Sequence, residues 1–482
     1  MKTHKKQVVG NHPNTFSTTE TSCNLTSDFW NNFFETVWEK KTFVKKIGFV
    51  TPPISPEDLF KVAVDMSDLH LDLYHGQNIR DGLGIRMTLD GKQLMHDYGH
   101  LLPKLTDGDF GGYRKRINRI FPGVSFVFQI DEIAMPSSMK VWTQDFLKGL
   151  YRSSGVMSTG HVWMFFFGDY SVTPKYGVHD HVTSTFSESG FYFPLVGKKE
   201  ILTWTPSYAN ENTRLKGTLN FDDHLDASTS LLAESNGMMY WPSNRWHVGS
   251  SGGGDVSVAF GYRTLSDIYP MFLYSLADLG MFYPYLSFSI RAKLCKTIES
   301  FLLLKHIILL KCSARARENQ VLNLPINPDD LQGCAKELPE GIKKLGRRAN
   351  LRRYFGDHIE KVLSIFWLYH LSNLGVDSPN VAFSPLDLKP ELQITKSPGV
   401  VLLWRQVDSE TIILVADRYA LEMPVSFSPM VEFVATRQVG QEAYYKELVD
   451  SVSTKKIPLQ ELEKQLVSLL TFLGESGTYT DS

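Results

Sequence analysis

Cysteine is scarce in this 482-residue chain. Cys23, Cys295, Cys312 and Cys334 are scattered, with no CxxC spacing. That excludes a zinc knuckle or a disulfide framework as the organising element and favours free thiols in a reducing compartment. No charge of one sign prevails: 50 Lys and Arg stand against 52 Asp and Glu, for a net charge of −2. Nothing global therefore favours nucleic acid or an anionic membrane. Long hydrophobic runs are also missing. The most apolar one, Phe301 to Leu310 (FLLLKHIILL), contains Lys305 and His306. It is too short to span a bilayer and reads as a buried helix. The opening MKTHKKQVVGNHPNTFSTTETS is polar and has no apolar core of signal-peptide type. Together these absences predict a cytoplasmic chain that is not membrane-embedded. Internal repeats and long low-complexity segments are lacking too.

What is present is ordinary for a globular protein: 43% apolar and 21% charged residues. The length predicts two to four domains. Aromatics reach 12%, with 30 Phe and 20 Tyr, a composition that suits β-structure and wide apolar pockets. Residues 1–25 read as a loose polar leader. In DFWNNFFETVWEKKTFVKKIGF, Phe29, Phe33, Phe34 and Val37 recur at helical spacing, with Asp28 or Ser27 as the cap. Residues 52–150 mix helical and extended segments around turn clusters such as TDGDFGG. From about 156 to 265 short β-like runs take over, among them HVWMFFFGDY, FYFPLV, EILTWTP, GMMYWP and VSVAFGYR. Their close spacing predicts an all-β barrel or sandwich. After about 268 the pattern is helical, in SIRAKLCKTIESFLLLKHIILLKCSARA and LRRYFGDHIEKVLSIFWLYHLSNLG, with NLPINPDDLQGCAKELPEG as a loop between them. The last unit shows strands at VVLLWRQV and TIILVADRYALEMP, then a helix at PLQELEKQLVSLLTFLG presenting Leu459, Leu462, Leu466, Leu469 and Leu470 on one face.

The chemistry concentrates in KYGVHDHVTSTF and GMMYWPSNRWHVG. In a strand over 176–186, His179 and His181 point to one side and Asp180 to the other. Two imidazoles two residues apart offer two metal ligands from one rigid element. A third must come from a neighbouring strand, and His247 follows a glycine, a β-run and a proline. Three protein ligands leave open positions for substrate and oxygen, which suits non-haem Fe(II), more familiar with two histidines and a carboxylate. Any one histidine alone is more often an ordinary polar residue; the combination in an all-β stretch favours a site. Trp204, Tyr240 and Trp246 are pocket-lining candidates, with core packing as the alternative. Other signals are weak. HDYGH at 96–100 lacks the glutamate of HExxH, FDDHLD at 221–226 and SGGGD at 251–255 read as turns, and ARAREN and GRRANLRR read as solvated helix faces.

FWNNFFETVWEKKTFV resembles the opening of JmjC-type ribosomal oxygenases and their bacterial relatives. KYGVHDH is similar to that family's G-x-H-x-D strand, FYFPLVGKKEILTW to its L-x-G-x-K-x-W strand, and GMMYWPSNRWHVG to its G-D-x-L-Y-x-P-x-x-x-x-H strand. The resemblance implies an α+β chain: a double-stranded β-helix (cupin/JmjC) barrel with N-terminal helical elements over 26–268, a helical dimerisation region over 269–378 and a winged-helix-like unit over 379–482. It implies an iron-dependent oxygenase, a 2-oxoglutarate-dependent hydroxylase acting on a protein, peptide or small-metabolite substrate as a homodimer. His179, His181 and His247 would hold Fe(II). Lys199, or alternatively Lys198, matches the lysine that holds the distal carboxylate of 2-oxoglutarate, with Arg263 as a further alternative.

One departure stands out. This chain has His181 where the family has a carboxylate, and making Asp180 the ligand breaks strand alternation unless a bulge intervenes. Three neutral imidazoles leave the metal more positive, so a different anionic co-substrate, another metal or an inactive site compete with the family's chemistry. Two further readings follow: a non-catalytic metal- or partner-binding protein, and a three-histidine cupin enzyme that does not use 2-oxoglutarate. The C-terminal unit has more Asp and Glu than Lys and Arg over 401–482, which predicts packing on the barrel or a protein contact and no DNA binding.

Overall fold

Thr26, rather than Ser27 or Asp28, caps the first helix, α1 (Ser27–Thr36), by accepting the Phe29 amide on its hydroxyl. The computed structural model describes residues 25–46, 51–74, 84–95, 98–130, 137–154, 160–170, 177–182 and 186–265. It further describes scattered positions from 333 to 357, residues 359–373 and 386, and 392–481 apart from short breaks. The chain is a mixed α/β protein with mostly antiparallel sheets. Among the described residues no helix is long and apolar enough to cross a membrane.

Helices and strands mix over the first part as the sequence predicts. After α1 come β1 (Phe43–Lys46), α2 (Pro56–Tyr74), β2 (Ile85–Leu89), β3 (Lys92–Gln93), α3 (Phe110–Ile120), β4 (Phe126–Ile130) and α4 (Ser137–Ser154). The aromatic runs then form long strands: β5 (Gly160–Tyr170), β6 (Phe186–Val196), β7 (Lys198–Trp204), β8 (Thr229–Glu234), β9 (Gly237–Trp241) and β10 (Trp246–Leu265), with the short helix α5 (Pro206–Glu211) after β7.

β10 organises the ten-stranded sheet. Its first six residues pair antiparallel with β7, His247 opposite Thr203 and Ser251 opposite Lys199. From Asp255 on it runs between β5 and β6. Its register against β5 shifts between Ser251 and Asp255, where Gly253 and Gly254 take φ of +92° and +84°. Only glycine adopts such φ readily, and the irregularity redirects the strand from one set of neighbours to the other. The SGGGD segment is thus not a turn after a strand but an irregularity within one.

Strand alternation sorts the aromatics onto two faces. Phe165, Phe167, Phe191, Phe193 and Phe260 belong to the main core with Trp30, Trp142 and Phe146 of the helices. Tyr192, Ile201, Met239, Trp241 and Ala259 form a separate inner cluster, with Met164 and Phe166 against it. Trp204, Val178, Leu215 and Val248 pack on the outer side of the β7 layer.

Within 269–378 the described residues include β11 (Gly333–Cys334), inside the segment expected as a loop, and α6 (Ile359–Asn373), inside the second helical stretch. The rest of the expected dimerisation region, ARAREN and GRRANLRR included, lies outside the described residues. The last part has β12 (Gln393–Lys396), β13 (Leu402–Gln406), β14 (Thr411–Ala416), β15 (Tyr419–Pro424), α7 (Ser428–Thr436), β16 (Glu442–Tyr444), α8 (Tyr445–Asp450), α9 (Leu459–Glu475) and β17 (Tyr479–Asp481). The two strands expected over 400–407 and 411–424 are β13 and the β14–β15 hairpin. The closing helix buries Leu462, Leu466, Leu469 and Leu470, but Leu459, at its first position, is 69% exposed. The chain has only just turned helical there, so that side chain lies beyond the edge of the core.

Candidate metal centre

His179, His181 and His247 come together: each offers a ring nitrogen, and the three atoms lie within 4.8 Å of one another. Ring centroids are 4.5 Å apart for His179 and His247, 4.8 Å for His181 and His247, and 5.2 Å for His179 and His181. Asp180 is not part of the cluster. Over the described residues 177–182 the backbone that delivers the first two is not part of the continuous strand expected over 176–186. Among the described residues it makes two isolated bridges, His179 with His247 and Val182 with Ser187. The alternation nonetheless holds locally, because the His179 and His247 amides donate to each other's carbonyls and the His181 amide donates to Ser243 O at 3.3 Å. Gly177 starts this segment at φ +56°, and a Cβ there would lie 2.3 Å from the Thr218 carbonyl oxygen.

Two of the three imidazoles have a hydrogen-bonded second nitrogen. Nδ1 of His179 lies 2.8 Å from Gly177 O, and Nδ1 of His247 lies 2.9 Å from Arg245 O. A carbonyl only accepts, so Nδ1 carries the proton and Nε2 keeps its lone pair. His181 Nδ1 has Glu188 Oε1 at 3.3 Å, a carboxylate beside the ring without hydrogen-bond geometry. Burial first, and then the neighbouring His181 ring, holds His179 down at about 4. Burial followed by His179 and His181 keeps His247 well below the usual histidine range. All this suits a divalent first-row metal: His179 and His247 are neutral at neutral pH and their Nδ1 contacts fix both ring orientations.

The sequence reading missed the walls. Trp241 sets its ring 5.1 Å from that of His247, is nearly buried, and has an indole N–H without a hydrogen-bond partner among the described residues. Gly190 makes room for it, since a Cβ there would lie 2.3 Å from the Trp241 ring. Glu188 and Tyr192 continue the Gly190 row on β6. Glu39, from the WEKK run, accepts hydroxyls from Ser189, Tyr240 and Ser243, and so ties the end of α1 to the loop whose carbonyl receives His181. The signals in the sequence were the i, i+2 spacing of Glu188, Gly190 and Tyr192, and the WEKK run itself. The aromatics singled out from sequence have packing roles. Trp204 donates to His224 O, Tyr240 packs on Phe33 and Trp38, and Trp246 carries Lys216 over its ring.

Lys199 and Lys198 are separated by strand alternation: Lys198 is exposed and Lys199 is buried in the same β7 row as Ile201 and Thr203. Four residues, roughly 13 Å of strand, separate its pairing level from that of His247. Its ammonium lies 3.9 Å from Asp255 Oδ2 and 5.6 Å from the Tyr192 ring. Asp255 accepts the hydroxyls of Ser251 and Ser257, the latter at 3.1 Å, and Tyr192 Oη lies 2.5 Å from Ser257 Oγ. Burial outweighs the attraction within the pair, pushing Lys199 down to about 8 and Asp255 upward. The side chain of Arg263 and residue His96 of HDYGH lie outside the described residues. His100 sits in a short 3-10 turn, and the FDDHLD segment is another, in which His224 meets the Tyr208 hydroxyl.

No protein-family model and no curated protein matches the chain. Among solved structures it is similar to YcfD, a ribosomal oxygenase from Escherichia coli, at 13% identity and a TM-score of 0.41, over 96% of this chain and 99% of that one. The YcfD structure with cobalt and succinic acid is 13% identical, with a TM-score of 0.43 over the same shares. The one with cobalt and 2-oxoglutarate is 12% identical, with a TM-score of 0.38, again over the same shares. These likenesses to ribosomal oxygenase structures run along nearly the whole chain, at an identity and overlap that leave its site to be read from its own residues.

Proposed function

We propose that this chain is a metal-dependent oxygenase built on a double-stranded β-helix, with Fe(II) held by His179, His181 and His247. The observation that carries the reading is the convergence of three imidazoles, two of them tied through Nδ1 to their own backbone. The barrel reading is supported by β10, whose two halves join different neighbours around one inner cluster. Bound iron would supply activation of O2 at the positions the protein leaves open. The chain's own groups do the rest. Glu188 sets a carboxylate beside the His181 ring, Glu39 and Ser243 hold the backbone beneath it, and Trp241 packs beside His247.

The family resemblance implies 2-oxoglutarate as co-substrate, and Lys199, the lysine matched to its distal carboxylate, does not fit it. Its distal carboxylate needs a cation with charge to spare. Lys199 faces inward but already has Asp255 beside it, so a dicarboxylate would bring a second negative charge to a buried pair. That observation favours the three-histidine enzyme that does not use 2-oxoglutarate. The same proposal takes 26–268 as the barrel domain, 269–378 as the helical region that pairs two copies, and 379–482 as a winged-helix-like unit.

Two measurements test it. Anaerobic titration with Co(II), followed by its visible absorption, is expected to show one site per chain that His247→Ala weakens more than about 100-fold while the apo protein keeps its circular dichroism. Fe(II)-loaded protein is then expected to consume O2 when offered its substrate, screened among peptides and small metabolites. Absence of stoichiometric metal binding sinks the metal reading. Metal binding with no O2 uptake across the screen favours a binding protein.

A further inference from the structure

We infer that Asp255 is a built-in counter-carboxylate that occupies the place on Lys199 where a dicarboxylate would set its far end, so that the metal site takes an uncharged or singly charged ligand. This rests on the proposed metal centre and narrows what can join it.

Three observations carry it. Asp255 and Lys199 are both almost fully buried, at 1% and 2% exposure, so neither is screened by bulk water. Lys199 stands in the inner row of β7 that leads to Thr203, directly opposite His247, so it lies in line with the centre. Asp255 is also held in place. The glycine irregularity of β10 delivers it, two serine hydroxyls donate to it, and Tyr192 braces one of those serines. An acid fixed in this way does not step aside for an incoming carboxylate. Between the centre and the pair, Ile201, Met239 and Trp241 belong to one apolar cluster. The indole N–H of Trp241, without a partner among the described residues, suits an acceptor on a ligand of low charge.

The test uses the full chain loaded with Co(II). Its visible spectrum is titrated with 2-oxoglutarate and with 2-oxobutyrate, which has the same chelating head and no distal carboxylate. In the wild type 2-oxobutyrate is expected to bind at least as tightly as 2-oxoglutarate. Asp255→Asn is expected to raise affinity for 2-oxoglutarate on the order of 100-fold, with 2-oxobutyrate changed less than about threefold. Wild-type protein that binds 2-oxoglutarate about tenfold or more tightly than 2-oxobutyrate overturns the inference without any variant. An Asp255→Asn protein that folds with unchanged selectivity also overturns it. Failure to bind Co(II) at all is a different result and counts against the metal centre itself.

Discussion

His179 and His247 face each other across a single antiparallel bridge, each amide donating to the other's carbonyl at 3.0 and 2.7 Å. Each also turns its Nδ1 to the carbonyl two residues before it. Backbone pairing sets the separation of the two rings and a local hydrogen bond sets their rotation, so two of the three ligands are positioned by the fold rather than by an ion.

The third has a carboxylate beside it, Glu188 Oε1 at 3.3 Å from His181 Nδ1. Replacing Glu188 with Gln keeps the volume against Gly261 but removes the charge beside His181 Nδ1. Metal affinity is expected to fall about 10–100-fold, with His179 and His247 still binding and the melting temperature of the apo protein little changed. Competition titration against a chelator measures this; an unchanged affinity would show that Glu188 does not orient the ligand.

Glu39 is expected to matter for stability. Glu39→Ala strands the hydroxyls of Ser189, Tyr240 and Ser243 at a partly buried junction. The expected cost is about 1–3 kcal/mol in urea denaturation, with a smaller loss for Glu39→Gln, which retains an acceptor. Equal stability of wild type and Glu39→Ala would mean that water replaces the carboxylate without penalty.

Acid should weaken the metal-free protein through the histidines. In the unfolded chain a histidine titrates near 6.5, whereas folded His179 is held at about 4. Between those values the unfolded state binds a proton that the folded state refuses, so stability falls as pH drops from about 6.5 to about 4 and is unaffected by this group above that window. His247 acts in the same direction. Urea midpoints at pH 7.5, 6 and 5 are expected to decline, and less steeply in His179→Gln. A His179→Gln protein with the wild-type pH slope would remove His179 from the account.

Two expectations concern partners. The full chain is expected to be a homodimer at micromolar concentration, paired through 269–378 as the family resemblance implies. Light scattering that returns the mass of one chain counts against this. Duplex DNA is expected not to bind at physiological ionic strength, since acidic residues outnumber basic ones over 401–482. Salt-sensitive anisotropy changes with labelled DNA would overturn that.

Much of the site was legible in the sequence, because strand alternation is a local rule. An HxH pair puts two imidazoles on one side whether the segment forms a full strand or two isolated bridges. The glycine, β-run and proline before His247 mark a strand entering a sheet. The same rule separates buried Lys199 from exposed Lys198. The β13 and β14–β15 strands and α9 were legible for the same reason: their apolar periodicity is written over a few consecutive residues.

What only the tertiary structure decided depends on residues far apart in the chain. Glu188 reaches His181, Glu39 reaches Ser243 across 204 positions, and Trp241 stands beside His247. No local pattern fixes such meetings, because they follow from which strands become neighbours. Asp255 is the clearest case. As SGGGD it reads as a turn, and only the shifted register of β10 against β5 and its pairing with β7 turn that stretch inward and set a carboxylate against Lys199. A charge that in an open loop would face water is thereby placed where, in a low-dielectric interior, it governs the charge of the site.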